Sequence, residues 1–180
     1  MIKIFITGPP GSGKTTVVTK LYENLKMYNF RVGGIITSEL RENNIRVGFE
    51  IKALDTGEKA ILAHINIRDG PRVGKYRVNI KGLEDIGVQA IKRALTNCDI
   101  IIVDEIGPME LKSAKFIKAV NNVLDSKIPA VLTVHYKIST NLHNHFQTRW
   151  NNILYMVTEK NREALPLLIW RALRRYIKNV

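Results

Sequence analysis

The stretch that decides the fold is FITGPPGSGKTTVV, residues 5–18. It begins with apolar and β-branched residues typical of a buried strand, continues through a loop rich in glycine and proline, and ends in residues that favour a helix. Gly8, Gly13, Lys14 and Thr15 fit the spacing G-x-x-x-x-G-K-[ST]. In a strand–loop–helix context, backbone N–H groups and the helix N-terminus turn toward one point and favour anionic oxygens. The stretch therefore predicts a phosphate-binding loop.

This loop is predicted to surround the phosphates of a nucleotide. Lys14 would supply a point charge to the β- and γ-phosphates, and the Thr15 hydroxyl would be a ligand of Mg²⁺, which bridges phosphates in such sites. We therefore predict Lys14 as a catalytic residue, Thr15 as a metal ligand and Mg²⁺ as the cofactor. The predicted nucleotide-binding residues of the loop are Gly8, Pro9, Pro10, Gly11, Ser12, Gly13, Lys14, Thr15 and Thr16.

The rest of the chain alternates between strand and helix patterns. Apolar runs predict strands, and apolar residues at helical spacing predict amphipathic helices. Strands are predicted at 2–7, 33–38, 98–107, 128–136 and 151–158, and helices at 14–28, 83–96, 111–125 and 162–178. This alternation predicts an α/β fold with a doubly wound, mostly parallel sheet. Residues 41–80 lack a helical period, so we expect a β-hairpin-rich insertion within one domain that spans 1–180.

Two adjacent carboxylates, Asp104 and Glu105, end the apolar run CDIIIVDEIG at 98–107. In an open parallel sheet the site lies at the carboxyl ends of the strands, which places Asp104 near the phosphate loop. We predict Asp104 as a second residue that holds Mg²⁺. Glu105 is predicted to accept a proton from the water that attacks the γ-phosphorus. A surface acid or a structural hydrogen-bond acceptor is the other interpretation of Glu105.

This pair separates two classes of reaction. Small-molecule kinases with a phosphate loop usually lack a catalytic glutamate after the metal-holding aspartate. The chain is similar to the RecA-like division of P-loop NTPases, which commonly has Asp-Glu there, uses water, and has an extra strand between the two phosphate-site strands. The run AVLTVH at 130–135 suits that extra strand. The resemblance implies that the main strands follow the order 5-1-4-3-2.

Several stretches together resemble one family, the THEP-type nucleoside-triphosphatases, which include cancer-related nucleoside-triphosphatase. The similar stretches are TGPPGSGKTT at 7–16, VGGIITSELRENNIRVGFEI at 32–51, GPRVGKYRVNI at 70–80, VDEIGPMEL at 103–111 and TEKNRE at 158–163. The resemblance implies Mg²⁺-dependent hydrolysis of ATP, GTP, CTP, UTP and TTP to a nucleoside diphosphate and phosphate. It also implies a RecA-like fold, with Lys14, Thr15, Asp104 and Glu105 in the roles given above.

The chain departs from this family after its fourth main strand. Family members often have an arginine there, whereas this chain has HYK at 135–137. A lysine offers a point charge instead of a forked contact to the phosphoryl group. The cation that stabilises the transition state is therefore left open between Lys137, His135 and Arg162. We also predict Arg162 as a nucleotide-binding residue, close to the base or ribose.

Charge and cysteine content set the remaining expectations. The formal net charge is +12, which is compatible with nucleic acid as a partner but does not require it. Cys98 is the only cysteine, as expected in a reducing compartment, and no membrane-spanning run or signal pattern is evident. We expect a cytoplasmic protein, monomeric rather than an obligate oligomer, that binds a nucleoside triphosphate and no membrane. A nucleic-acid-stimulated ATPase and a nucleotide or small-molecule kinase are the alternative functions.

Overall fold

The computed structural model describes residues 1–137 and 152–177 of the chain. The strands are β1 Lys3–Thr7, β2 Val32–Glu42, β3 Ile45–Ala53, β4 Lys59–His64, β5 Arg72–Val73, β6 Tyr76–Val78, β7 Ile100–Ile106, β8 Ala130–Val134 and β9 Asn152–Met156. The longer helices are α1 Lys14–Met27, α2 at 80–97, α3 Ala114–Asp125 and α4 Leu165–Arg174. A 3₁₀ turn lies at Glu110–Lys112.

The nine strands of the described residues form one mixed sheet, in the order β5-β6-β4-β3-β2-β7-β8-β1-β9. Strands β2, β7, β8, β1 and β9 pair in parallel, as strands joined by helical crossovers do. Strands β3 to β6 continue the sheet beyond β2 with antiparallel pairs. The α/β prediction is confirmed, and the sheet is mixed because short turns between neighbouring strands impose antiparallel pairing.

Helices cover both faces of the parallel strands. Alternate residues of β7 point to opposite faces, so Ile101 and Val103 join one buried cluster while Ile100 and Ile102 join the other. The first cluster takes its helical residues from α2 and α3, and the second takes them from α1 and α4. This arrangement explains why β7 is apolar without alternation up to Asp104.

The second strand differs most from its predicted bounds. We expected a strand at 33–38 that ends before hairpins begin, but β2 runs without a break to Glu42. It pairs with β7 only from Val32 to Ile35 and with β3 from Ile35 to Glu42. The pairing with β3 satisfies its backbone beyond the end of β7. The β2–β3 hairpin therefore extends past the carboxyl edge of the parallel strands.

Capping residues account for the other differences in helix bounds. The second helix begins at Ile80 and not at 83, because the Asn79 side chain caps it by accepting from the backbone N–H of Gly82. From there α2 continues through a π-helical segment, Leu83–Val88, into the α-helical segment Gln89–Asn97. The Ser113 side chain caps α3 and separates it from the preceding 3₁₀ turn. The last helix begins at Leu165, with a proline in its first turn, a position where proline is favoured.

Candidate active site

The phosphate loop joins β1 to α1. Gly11 and Gly13 have φ values of 76° and 100°, which residues with a side chain adopt only with strain. Gly13 occupies the N-cap of α1, so Lys14 is the first helical residue. The Lys14 ammonium donates to the carbonyl oxygens of Gly8 at 3.1 Å and Pro9 at 3.4 Å. The amine therefore lies across the loop, where a phosphate would replace weak carbonyl contacts with charge attraction.

Asp104 lies below the loop and is fully buried. It accepts hydrogen bonds from the hydroxyls of Thr15, at 2.9 Å, and Thr133, at 2.5 Å, and from the backbone of Thr37. Burial raises the pKa of Asp104, while these hydrogen bonds and Lys14 oppose that rise. Four elements, β7, α1, β8 and β2, thus converge on one carboxylate.

The next residue, Glu105, lines the cleft above the loop. The peptide bond between Asp104 and Glu105 is cis. Within the described part of the chain, the Oε1 atom of Glu105 is buried and has no hydrogen-bond partner. Burial raises the pKa of Glu105, Lys14 lowers it, and Asp104 raises it further. A buried carboxylate oxygen with an open acceptor position can bind a water molecule and take its proton.

Glu110 is a third carboxylate at this site, and our sequence analysis gave it no role. It is buried, and its Oε2 atom accepts from the backbone N–H of Gly107 at 3.1 Å. Oε2 of Glu110 and Cδ of Glu105 both lie within 4 Å of the point where a Cβ on Gly107 would stand. Burial, with Glu105 and Asp104 nearby, raises the pKa of Glu110 to about 8. The only sequence signal was its place within VDEIGPMEL, three residues after Gly107.

The three cationic candidates occupy different places. His135 lines the cleft, and its pKa is lowered by burial and by Lys14 and Lys137. Lys137 is exposed and is not among the residues lining the cleft. Arg162 lies against the loop from outside the cleft, since a Cβ on Gly13 would be 3.3 Å from its Cδ. His135 is therefore the candidate nearest the described cleft, while Arg162 borders the loop on another side.

The cleft has a volume of about 620 Å³. Asp104, Pro9 and Ser12 are not on its wall. Seven of the predicted loop residues line it: Gly8, Pro10, Gly11, Gly13, Lys14, Thr15 and Thr16. Pro9 and Ser12 shape the loop through a backbone bond from Ser12 to the Pro9 carbonyl at 3.1 Å. Its other walls come from β2, β3, β4, β5 and the segment after β7. The motif residues and the acidic pair thus meet at one cleft.

The donor set fits a hard divalent cation such as Mg²⁺. Among residues 1–137 and 152–177, no group of three or more His, Cys, Asp or Glu side chains could hold a metal ion. Mg²⁺ is usually bound by one or two protein oxygens, with phosphates and waters as the other ligands. Thr15 and Asp104, 2.9 Å apart at their oxygens, can supply those protein contacts without a cage of side chains.

Comparisons with known proteins place the chain in a family. A family model described as NTPase matches residues 3–170. Nucleoside-triphosphatase THEP1 of Methanocaldococcus jannaschii is 48% identical over 165 residues, covering 91% of this chain and 92% of that protein. The crystal structure of THEP1 from Aquifex aeolicus has a TM-score of 0.84 at 33% identity, over 96% of this chain and 99% of that one.

A solution structure of a human cancer-related nucleoside triphosphatase also matches, with a TM-score of 0.78 at 28% identity, over 97% of this chain and 98% of that one. Among the described helices, none has both the length and the apolarity that a membrane crossing needs. The family model covers nearly the whole chain, including the loop, the acidic pair and Arg162. The chain therefore belongs to the NTPase family, as its resemblance to the THEP-type nucleoside-triphosphatases implied.

Proposed function

We propose that this chain hydrolyses nucleoside triphosphates to nucleoside diphosphates and phosphate, with water activated by Glu105. The observation that supports this most directly is the buried Oε1 of Glu105, which has no hydrogen-bond partner among the described residues and belongs to a side chain lining the cleft. A carboxylate in that position can orient an attacking water. The names of the relatives, which are nucleoside-triphosphatases, support the same reaction.

The triphosphate would lie across the loop. Backbone N–H groups from Gly11 to Thr16 and the N-terminus of α1 would bind its oxygens, and Lys14 would leave its carbonyl contacts for the β- and γ-phosphates. Thr15 and Asp104 would hold Mg²⁺, which when bound offsets phosphate charge. Arg162, beside Gly13, would contact the base or ribose. These assignments rest on the spacing of the motif and on the contacts described above.

In the reaction, a water oxygen attacks the γ-phosphorus and the bond from that phosphorus to the β–γ bridging oxygen breaks. The water proton passes to Glu105, and the nucleoside diphosphate leaves with the bridging oxygen. Burial makes Glu105 a stronger base than an exposed glutamate, and Lys14 keeps its ionised form accessible. We assign Lys14 to charge stabilisation in the transition state, with His135, which lines the cleft, as an additional donor.

The proposal also covers the range of nucleotide substrates and the type of P-loop fold. The relatives' names specify no base, so we infer that ATP, GTP, CTP, UTP and TTP are all substrates. The position of β8 between β1 and β7 supports a RecA-like core, with strands ordered 5-1-4-3-2 when the parallel strands are numbered along the chain. We further propose that one cytoplasmic monomer is active without nucleic acid.

The test is phosphate release from each triphosphate, with Mg²⁺ and purified protein alone. We expect release from all of them. Glu105→Gln should bind nucleotide normally but lose turnover by at least about a hundredfold, and Lys14→Ala should lose both. Glu23→Gln is the matched control, because it removes a carboxylate from an exposed position on α1. Release by Glu105→Gln at the wild-type rate would overturn the assigned base.

A further inference from the structure

The cleft extends well beyond the phosphate loop. Beyond Glu105 it continues along the β2–β3 hairpin, which projects past the last β7 pair at Ile35. We call this part the side chamber and define it by the cleft-lining residues Glu39, Arg41, Arg46, Phe49, Leu62, Val73 and Met109. Arg162, the predicted base or ribose contact, is not among the residues of this cleft. The side chamber is therefore a different space from the base site proposed beside Arg162.

The inner walls of the side chamber are apolar. Leu62 is buried at 1% exposure, and Phe49, Val73 and Met109 are partly buried. The Phe49 ring is held by an edge-on contact with the Tyr76 ring, at 5.2 Å between centroids. Because its packing fixes this ring, it offers an apolar surface at low entropic cost. A ligand here would bury a carbon body or a ring.

The mouth of the side chamber has a preformed cluster of charges. Glu39 accepts from Arg46 at 2.7 Å and from Arg41 at 2.6 and 2.9 Å. Burial raises the pKa of Glu39, but the hydrogen bonds and charges of Arg46 and Arg41 together bring it below its usual value, so the cluster has two cations and one anion. Arg46 also lies 5.3 Å from the centre of the Phe49 ring and donates to the Tyr76 hydroxyl at 3.1 Å.

The Arg46 guanidinium keeps an open side. Its Nε and Nη1 atoms donate within the cluster, while its Nη2 has no partner in residues 1–137 and 152–177. At this mouth the two guanidinium groups of Arg41 and Arg46 face one carboxylate, an arrangement that favours an anionic group. A guanidinium with free donors suits a phosphate.

We propose that the side chamber is a second binding site, for a phosphate monoester with an apolar or aromatic body, of the class of a nucleoside monophosphate. The phosphate would contact Arg46 and the body would pack on Phe49, Val73 and Met109. This inference rests on the proposed function, since it takes the triphosphate to fill the loop. A bound monoester would then lie on the Glu105 side of the cleft, in the space from which water attacks.

The experiment measures binding while the loop is filled. The protein is saturated with Mg²⁺ and a fluorescent imido analogue of ATP that is not hydrolysed, and its fluorescence reports whether the loop is occupied. Radiolabelled AMP, GMP, CMP and UMP are then tested by equilibrium dialysis, with adenosine and inorganic phosphate as partial probes. We expect saturable binding of at least one monophosphate and weaker binding of both partial probes.

Variants connect this binding to the side chamber. Arg46→Met and Phe49→Ala should each weaken monophosphate binding by about tenfold or more, without loss of the analogue signal. Arg31→Met is the matched control, because Arg31 pairs with Asp99 away from the cleft, with atoms 2.7 Å apart. With ATP in place of the analogue, the bound monophosphate should also lower phosphate release, because it displaces water beside Glu105.

The two proposals fail separately in this design. If the analogue does not bind, the triphosphate site itself is wrong and the proposed function fails. If the analogue binds but none of the four monophosphates binds saturably, the side chamber is not such a site. Equal monophosphate binding by wild type and Arg46→Met would likewise overturn the proposal.

Discussion

Asp104 depends on two hydroxyl groups, and they have separable tasks. Thr15 faces the cleft and can exchange its bond to Asp104 for one to a metal. Thr133 is fully buried and binds the other oxygen of Asp104 at 2.5 Å, so it can only orient the carboxylate and favour its ionised form. Residues that orient a metal-binding carboxylate typically change metal affinity by about 10- to 100-fold when removed.

We therefore predict that Thr133→Val weakens Mg²⁺ activation. The Mg²⁺ concentration for half-maximal phosphate release should rise by about tenfold, because Asp104 loses a hydrogen bond that favours its ionised form. A Mg²⁺ titration at saturating nucleotide measures this. Thr133→Ser is the control, since it keeps the hydroxyl and should titrate like the wild type. An unchanged midpoint in Thr133→Val would assign Thr133 to packing alone.

The sequence could predict site residues that belong to local patterns, but not their buried partners. The spacing around Lys14 and the acidic pair after an apolar strand follow from short stretches of chain. Thr133 and Glu110 acquire their contacts only when β8 lies beside β7 and the 3₁₀ turn brings Glu110 back to Gly107. Such contacts depend on which strands and turns the fold brings together, and a short stretch of sequence does not reveal this.

At the scale of elements, whether a segment forms a helix or a strand could be predicted better than where that element begins and ends. The strong apolar period of α3 and the continuous apolar run of β7 fix their types. The end of β2 depends instead on whether β3 continues to supply backbone partners beyond Ile35. The start of α4 depends on turns before Leu165 that the period does not reveal. The observed bounds therefore differ from the predicted ones where strand pairing or helix capping, and not hydrophobic spacing, sets the end of an element.

Lys3 connects two elements that are far apart in sequence. It is fully buried on β1, and its ammonium donates to the carbonyls of Val123 and Ile128, each at 2.6 Å, and of Ser126 at 3.2 Å. Burial lowers the pKa of Lys3 to about 8, against the effect of Asp125. The amine thus closes the carboxyl end of α3 and its following turn, where carbonyl groups lack helical partners.

We predict that Lys3→Met lowers the free energy of unfolding by about 2 kcal/mol, because the carbonyls at the end of α3 and in its following turn lose a charged donor, although the cost of burying the amine is also removed. Urea unfolding measures the loss, and hydrogen exchange should show faster opening at the end of α3. Lys127→Met is the control, because it removes an exposed lysine from the same turn. Equal stability of Lys3→Met and Lys127→Met would show that the amine contributes nothing.

At the scale of the whole molecule, the sheet brings three carboxyl groups into one buried region. Asp104, Glu105 and Glu110 all have raised pKa values, and burial is the largest cause for each. A carboxyl whose pKa is higher in the folded than in the unfolded state gives stability that is fully present below the unfolded pKa and is lost as pH rises through the folded pKa. For Glu110 this window runs from about 4.5 to about 8.

We predict that, in metal-free buffer, the free energy of unfolding falls between pH 6 and pH 8, and that Glu110→Gln removes most of this fall. Glu110 alone accounts for about 2 kcal/mol, since an unfolded glutamate is ionised across this range while the folded one releases its proton only near the upper end. The amide oxygen of Gln can still accept from Gly107 but does not titrate. Urea unfolding at both pH values gives the comparison. A fall of equal size in the two proteins would mean that Glu110 is already ionised in the folded state at pH 6.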